Sequence, residues 1–140
     1  MRYFDTSVII AYYCPEILSE KAENILRRSK RAAISELVEV EMCSALSRKV
    51  REKDITEDNA RQVLQQYKEH KRNGGYGLLT LNACHFSIAA GWLAQFTVPL
   101  RTRDALHLSL AFSHRIEIIT ADTQMHAAAQ KLSIKCRLLK

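Results

Sequence analysis

The chain has 140 residues, of which 47% are hydrophobic, so one domain can bury a continuous core. Lysine and arginine outnumber aspartate and glutamate by 21 to 15, a formal charge of +6. This balance favours an acidic partner such as nucleic acid, although many small proteins are mildly basic without one. Two prolines and four glycines disfavour disorder and a turn-rich all-β fold, and no apolar run reaches the roughly 18–20 residues of a membrane span.

The hydrophobic pattern predicts short strands that alternate with helices. In chain order the predicted elements are a strand at 3–4, helices at 8–13 and 16–30, a strand at 32–34, helices at 36–53 and 57–72, a strand at 78–81, helices at 83–96 and 104–114, a strand at 116–120, a helix at 123–132 and a strand at 134–138. Short apolar strands separated by helices are typical of a parallel sheet covered on both faces. No repeat or linker interrupts this order, so we expect a single domain over residues 1–140.

The cysteines and the amino terminus indicate a reducing compartment. Cys14, Cys43, Cys84 and Cys136 are scattered and form no C-x-x-C pair. The start of the chain places Asp5 where a signal peptide would need an apolar core. We therefore expect reduced cysteines and a cytoplasmic protein.

Four acids follow strands or lie near the starts of helices in this order. Asp5 follows the first predicted strand, and Asp122 follows the fourth. Glu41 falls in the second turn of a helix that starts at the same edge, and Asp104 opens another helix. Because ligands of an open α/β sheet bind outside the carboxyl ends of its strands, the four acids can converge on one site.

Such a group of acids predicts a divalent cation. Two carboxylates about 4 Å apart repel each other by about 4 kcal/mol at an effective dielectric constant of 20. Mg²⁺, or Mn²⁺ in its place, removes this cost and binds carboxylates together with phosphate oxygens. Held against a phosphodiester, it can activate a water for hydrolysis. A basic surface would bring the polyanion to this site.

Each acid also has a purely structural interpretation. Asp5, Asp104 and Asp122 precede or open helices and could be N-caps. Glu41 lies in a run of acids that could be a solvated face. Its neighbours at helical spacing are apolar, however, which places it nearer the buried side than Glu39.

Four segments in this order carry a family resemblance. They are YFDTS at 3–7, the pair IS at 34–35 leading to Glu41 and Ala45-Leu46, RDALH at 103–107, and ITAD at 119–122. Each is weak alone, but together they span about 120 residues in the order of a PIN domain. The chain resembles a PIN-domain protein of the VapC toxin type.

The resemblance implies a three-layer α/β sandwich whose central five-stranded parallel sheet has the order 3-2-1-4-5. It implies metal-dependent cleavage of single-stranded or loop regions of a structured RNA. The implied catalytic and metal-binding acids are Asp5, Glu41, Asp104 and Asp122, with hydrogen-bonding support from Thr6 and Thr120. It also implies a homodimer that a small antitoxin inactivates by inserting a segment into the active-site groove.

The chain departs from the family pattern before its last two strands. Members often carry glycine there, whereas this chain has His114-Arg115 and Leu132-Ser133. The departure concerns the geometry of these turns rather than the acids.

The remaining candidate residues have less specific interpretations. His107, three residues after Asp104, could contact the metal or a phosphate, but a packing residue with one hydrogen bond is the favoured interpretation. Arg101 and Arg103 flank Asp104, where contact with RNA phosphates and plain solvation are equally expected. Aromatic residues in the fifth helix and after it are expected to be core or dimer contacts rather than base-stacking platforms; these are Phe86, Trp92 and Phe96.

Other functions remain open at this point. A PIN nuclease that is not a toxin, or a non-catalytic PIN-like RNA-binding protein, would share the same elements. Loss of one of the four acids would favour the latter, and all four are present. A phosphatase with a D-x-D nucleophile pair is disfavoured because Ser7 stands where the second acid would be.

Overall fold

The computed structural model describes all residues, 1–140. The strands are β1 (Arg2–Phe4), β2 (Ala32–Ser35), β3 (Gly77–Leu79), β4 (Glu117–Thr120) and β5 (Cys136–Leu138). The helices are α1 (Thr6–Tyr13), α2 (Ser19–Arg28), α3 (Glu36–Arg51), α4 (Glu57–Arg72), α5 (Ala83–Leu93), α6 (Thr102–His114) and α7 (Thr123–Lys131). The strands form one all-parallel sheet of order β3-β2-β1-β4-β5, which confirms the expected topology.

The sheet is the middle layer of a sandwich because adjacent strand residues point to opposite faces. Phe4 and Ile119 pack with the core formed by α1, α2, α3 and α4. Tyr3 and Ile118 pack on the other face, against α6 and α7. The central strands are buried on both faces, which explains why their sequences are short continuous apolar runs.

Three helices begin elsewhere than expected. Helix α1 begins at Thr6 rather than at residue 8, because Asp5 is its N-cap. Helix α2 begins at Ser19 rather than at residue 16, because the Ser19 hydroxyl accepts from the Glu16 amide and donates to the Cys14 carbonyl, closing a turn. Helix α6 begins at Thr102, so Asp104 lies inside its first turn instead of opening it. The other element bounds agree to within a few residues.

Several helices end in a left-handed residue that is not glycine. Lys53, Phe96, Arg115 and Ser133 all have positive φ. After α6, the Arg115 amide donates to the Phe112 carbonyl and the next amide donates to the Ala111 carbonyl, which is the Schellman arrangement. Arg115 and Ser133 occupy the turns where PIN-domain proteins of the VapC type, which the chain resembles, often have glycine. The chain therefore keeps the left-handed turn without the residue that adopts it most readily.

All four cysteines are free. Cys14 is buried. The pKa of Cys136 is raised to about 12 by burial and by the nearby charges of Asp5 and Glu117. No helix of the structure combines the length and the apolar character that a membrane span requires.

Candidate active site

The four acids singled out from the sequence line one cavity of about 210 Å³ at the carboxyl edge of the sheet. Asp5 follows β1, Asp122 follows β4, Glu41 comes from α3 and Asp104 from α6. Strands β1 and β4 are neighbours, so the two loops that leave them meet. The fold thus brings together four carboxylates separated by up to 117 positions in the chain (122 − 5).

Asp5 is held rigidly at the bottom of this cavity and is only 3% exposed. Its Oδ1 accepts from the Ser7 hydroxyl at 2.6 Å and from the Val8 amide at 3.4 Å, so it is also the N-cap of α1. Its Oδ2 accepts from the Thr120 hydroxyl at 2.8 Å, which leaves acceptor capacity on that oxygen. Burial raises the pKa of Asp5, although the nearby His107 and these hydrogen bonds act in the opposite direction.

Ser7 is a site residue that the sequence analysis did not single out. Its hydroxyl donates to Asp5 and accepts from the Ala121 amide at 2.9 Å. Thr120 makes a matching link, donating to Asp5 and accepting from the Asp122 amide at 3.0 Å. The two hydroxyls tie the loop after β1 to the loop after β4. Helical spacing could not have identified Ser7, because its second partner lies more than a hundred residues away.

His107 connects the core to the site, so its interpretation as a packing residue with one hydrogen bond is wrong. Its Nε2 bonds to Glu41 Oε1, and its Nδ1 lies 2.7 Å from the hydroxyl of Tyr3. That hydroxyl lies 2.8 Å from Ser35 Oγ. An ionised Glu41 can only accept, so Nε2 donates to it; Nδ1 accepts from the Tyr3 hydroxyl when the ring is neutral and donates to it when the ring is protonated. Ser35, Tyr3, His107 and Glu41 therefore form one chain of hydrogen bonds.

Glu41 stays ionised in this setting. Burial alone would raise its pKa, but the hydrogen bond and charge of His107 lower it, and Thr6 and Arg103 add to that effect. The net result is a pKa below the ordinary value. The Thr6 hydroxyl donates to Glu41 Oε1 at 2.8 Å, which shows where this candidate supporting residue acts.

Two arginines pair with the acids: Arg103 lines the cavity, and Arg101 lines a neighbouring cavity that shares Asp104. Arg101 reaches Asp104 Oδ2 at 3.0 Å and Asp122 Oδ2 at 2.8 Å. Arg103 lies 3.5 Å from Glu41 Oε2 and 3.9 Å from Asp104 Oδ1. Both arginines are about half exposed, so each pair is screened by water and weak.

Asp104 retains a raised pKa in this arrangement. Burial outweighs the opposing hydrogen bond and charge of Arg101, and the charge of Asp122 adds to the rise. No three acid, histidine or cysteine side chains are gathered closely enough in this structure to hold a metal ion.

The donor set nevertheless fits a hard divalent cation. Every candidate ligand atom is a carboxylate oxygen, which suits Mg²⁺ or Mn²⁺ and not a metal that prefers sulfur or nitrogen. Asp5 and Asp104 are the most enclosed, at 3% and 5% exposure, and would hold such an ion, with Glu41 and Asp122 completing the set. Asp122 is also tied to α7, because its Oδ1 accepts from the Gln124 and Met125 amides as an N-cap.

A protein-family model matches most of the chain that forms this sheet and carries these acids. The model described as "PIN domain" matches residues 2–131, and the chain belongs to the PIN-domain family. No curated protein matches the sequence.

Solved structures similar to this chain come from several bacteria. VapBC2 from Rickettsia felis, bound to a promoter DNA fragment, is 14% identical with a TM-score of 0.71, covering 100% of both chains. FitAcB from Neisseria gonorrhoeae is 17% identical with a TM-score of 0.72, covering 97% of this chain and 96% of that one. VapC20 from Mycobacterium tuberculosis, described as a sarcin-ricin loop cleaving toxin, is 16% identical with a TM-score of 0.72, covering 91% and 95%. At these identities the similarity establishes a shared fold.

Proposed function

We propose that this chain is a metal-dependent endoribonuclease, a toxin of the VapC type built as a single domain over residues 1–140. The observation that carries the proposal is the convergence of Asp5, Glu41, Asp104 and Asp122, from four separate elements, on one cavity. Membership of the PIN family and the similarity to toxins of toxin–antitoxin pairs support the same interpretation.

The chemistry we propose is hydrolysis of an RNA phosphodiester. A bound Mg²⁺ or Mn²⁺ would supply positive charge for the phosphate oxygens and lower the pKa of an attacking water. The protein keeps Asp5 and Glu41 in fixed positions, through Ser7 and Thr120 for the first and Thr6 and His107 for the second. Rigid carboxylates of this kind hold their geometry without reorganising during the reaction.

The substrate we propose is a single-stranded or loop region of a structured RNA. The cavity is open to solvent, and Arg48 and Arg103 line it beside the acids. Basic side chains beside an acidic site are expected when the substrate is a polyanion, because lysine and arginine neutralise its backbone phosphates. The net charge of +6 is consistent with this assignment.

A small antitoxin is the partner we propose. Similar structures are described as VapBC pairs, which supports a partner of that kind. Neutralisation by a basic residue placed among the acids is physically reasonable here, because Arg101 already reaches two of the four carboxylates from this chain's own surface. To reach these two carboxylates, an arginine of the partner would need to displace only the ion pairs that Arg101, itself half exposed, makes with Asp104 and Asp122.

We also propose that the chain forms a homodimer through α5 and its surroundings. Phe86 is 55% exposed, Phe112 is 50% exposed and Phe96 is 93% exposed. Trp92 packs edge-on against Phe112, with ring centroids 5.6 Å apart, so these two rings form one aromatic patch between α5 and α6. Light scattering of wild type and Phe86→Ser would test this, and a monomeric wild type would exclude it.

The decisive experiment compares wild type, Asp5→Asn and a matched control, Asp54→Asn, which changes an exposed acid outside the cavity. We expect wild type and the control to cleave RNA in Mg²⁺ or Mn²⁺, and Asp5→Asn to be inactive while remaining folded. Mapping of new 5′ ends in cellular RNA after induction would then identify the target.

Each outcome of this comparison is informative. Equal RNA breakage by wild type and Asp5→Asn would exclude the nuclease. Binding of RNA without cleavage by wild type would favour a non-catalytic PIN-like protein. Cleavage without growth inhibition or an antitoxin would favour a PIN nuclease that is not a toxin.

A further inference from the structure

A row of cations lies at the amino edge of the sheet, opposite the candidate active site. Arg31 comes directly before β2, Arg2 opens β1, Arg115 lies two residues before β4, and Lys135 comes directly before β5. These four strands are adjacent and parallel, in the order β2-β1-β4-β5. Their starts therefore share one edge, with neighbouring strands about 4.8 Å apart, so the row extends over about 15 Å.

The end of α2 adds two further cations to this row. The cations around a concavity of about 550 Å³ are Arg2, Arg28, Lys30, Arg31, Arg115 and Lys135, and we call them the basic edge. The only acid that lines the concavity is Glu117, and it is already paired with Arg2 at 3.0 Å and with Arg137 at 3.5 Å. The basic edge therefore has a strong excess of positive charge.

Five members of the basic edge make no ion pair with the protein. Among the six cations, only Arg2 takes part in an ion pair of the structure. The other five residues are all exposed; they are Arg28, Lys30, Arg31, Arg115 and Lys135. Like charges collected at one edge repel each other, so the arrangement is unfavourable for the isolated protein. Binding of a polyanion would remove that repulsion.

Arg115 supplies an independent observation. It adopts φ 54° and ψ 41°, the left-handed conformation that strains any residue with a Cβ and that glycine adopts freely. Its side chain lines the concavity of the basic edge. An arginine is thus held in a backbone position suited to glycine, and it places a charge at the basic edge that a glycine would not provide.

We propose that the basic edge binds the phosphate backbone of RNA, remote from the candidate active site. This rests on the proposed function for the choice of RNA as the polyanion. Arginine presents a planar fork of donors that fits phosphate oxygens. The concavity has only two apolar lining residues, Met1 and Ile116, so a protein partner would bury little apolar surface there. It contains no aromatic residue for base stacking, and binding is therefore independent of sequence.

The test measures RNA binding by full-length protein in the Asp5→Asn background, so that the RNA stays intact. The probe is a fluorescent RNA hairpin of arbitrary sequence, and anisotropy is recorded from about 50 mM to about 200 mM salt. The basic-edge variant carries Arg31→Gln, Arg115→Gly and Lys135→Gln. The control variant carries Arg51→Gln, Lys68→Gln and Arg72→Gln, which removes the same charge from exposed positions on α3 and α4.

We expect the basic-edge variant to raise the Kd about tenfold or more. The slope of log K against log salt should fall by about 0.7–0.9 for each phosphate that the variant no longer neutralises. The control variant should change the Kd much less. Circular dichroism verifies that both variants are folded. RNA binding by Ser133→Gly controls for the effect of a glycine in a left-handed turn without a change of charge.

Three results would overturn the proposal. The first is unchanged binding in the basic-edge variant. The second is equal weakening in both variants, which would assign the effect to net charge alone. The third is a basic-edge variant that no longer binds a poly-glutamate peptide but binds RNA as before, which would indicate that the basic edge binds an acidic protein. Cleavage of a short single-stranded RNA by the variants with Asp5 intact is scored separately, so that failure of the nuclease and failure of this surface are distinguishable.

Discussion

Replacement of Arg115 by glycine should stabilise the protein, although it removes a large side chain. Arg115 ends α6 in the left-handed conformation, at φ 54° and ψ 41°. Its amide and the amide that follows close the Schellman hydrogen bonds to α6, and glycine keeps both. The arginine side chain makes no ion pair, so the substitution removes no attraction of that kind.

The magnitude follows from two opposing terms. A residue with a Cβ in the left-handed region is strained by about 1–2 kcal/mol, which glycine relieves. Glycine also gains more freedom in the unfolded chain, which offsets about 0.5–1 kcal/mol of that gain. The free energy of unfolding should therefore rise by about 0.5–1 kcal/mol, and Tm by about 2–3 °C for a chain of this length.

Urea unfolding of four proteins tests this reasoning: wild type, Arg115→Gly, Arg115→Ala and Ser133→Gly. Arg115→Ala removes the charge but keeps the Cβ, so it should gain much less than glycine. Ser133 has φ 56° in the equivalent turn after α7, so Ser133→Gly should give a similar gain with no change of charge. Stabilisation by Arg115→Ala as large as that by Arg115→Gly would refute backbone strain as the cause, and so would two glycine variants no more stable than wild type.

Three further predictions concern the candidate site, and a fourth concerns Arg101, which pairs with two of its acids. Burial raises the pKa of Asp5, so the metal-free protein should lose part of its stability as pH rises from the ordinary aspartate value through the raised folded value. Asp5→Asn should remove that loss and should be more stable than wild type at neutral pH. Urea unfolding in EDTA measures this, and the same pH dependence of the unfolding free energy in wild type and Asp5→Asn would contradict it. Tyr3→Phe leaves buried partners unpaired, including His107 Nδ1, and should lower the free energy of unfolding by about 1–3 kcal/mol, as measured by urea unfolding. His107→Ala should lower cleavage and Mg²⁺ affinity about 10–100-fold because Glu41 loses a buried donor, and unchanged affinity in a metal titration would disprove this positioning role. Arg101→Met removes a cation that competes for two of the acids, so calorimetry should show Mg²⁺ binding about two- to tenfold tighter, and weaker binding would count against competition.

Much of the fold follows from local properties of the sequence. Short β-branched or apolar runs become strands, and apolar residues at helical spacing become helices, because each pattern buries one face of one element. Once the strands are parallel, all their carboxyl ends share an edge, so Asp5 and Asp122 are expected at that edge. The sheet order, which makes β1 and β4 neighbours and brings the two acids together, was expected from the family resemblance and not from any local pattern.

The connections within the site were decided by tertiary structure. His107 lies in α6, which is buried on every side from Asp104 to Ala111, so its periodicity gives no sign of a functional face. Its partners come from β1 and α3, at separations of 104 and 66 residues. Ser7 is likewise recognisable only when the loop after β4 meets it. Hydrogen bonds of this kind depend on the relative position of distant elements, which no local pattern encodes.

The basic edge has the same origin. Arg2, Arg31, Arg115 and Lys135 are ordinary, scattered cations in the sequence, and the net charge of +6 says nothing about where they lie. The parallel sheet gathers them because strand starts, like strand ends, share an edge. The sequence alone determined the elements, their order and the candidate acids. Only packing of the distant segments decided which side chains support those acids and where the excess charge collects, because both depend on distances between elements rather than on any element by itself.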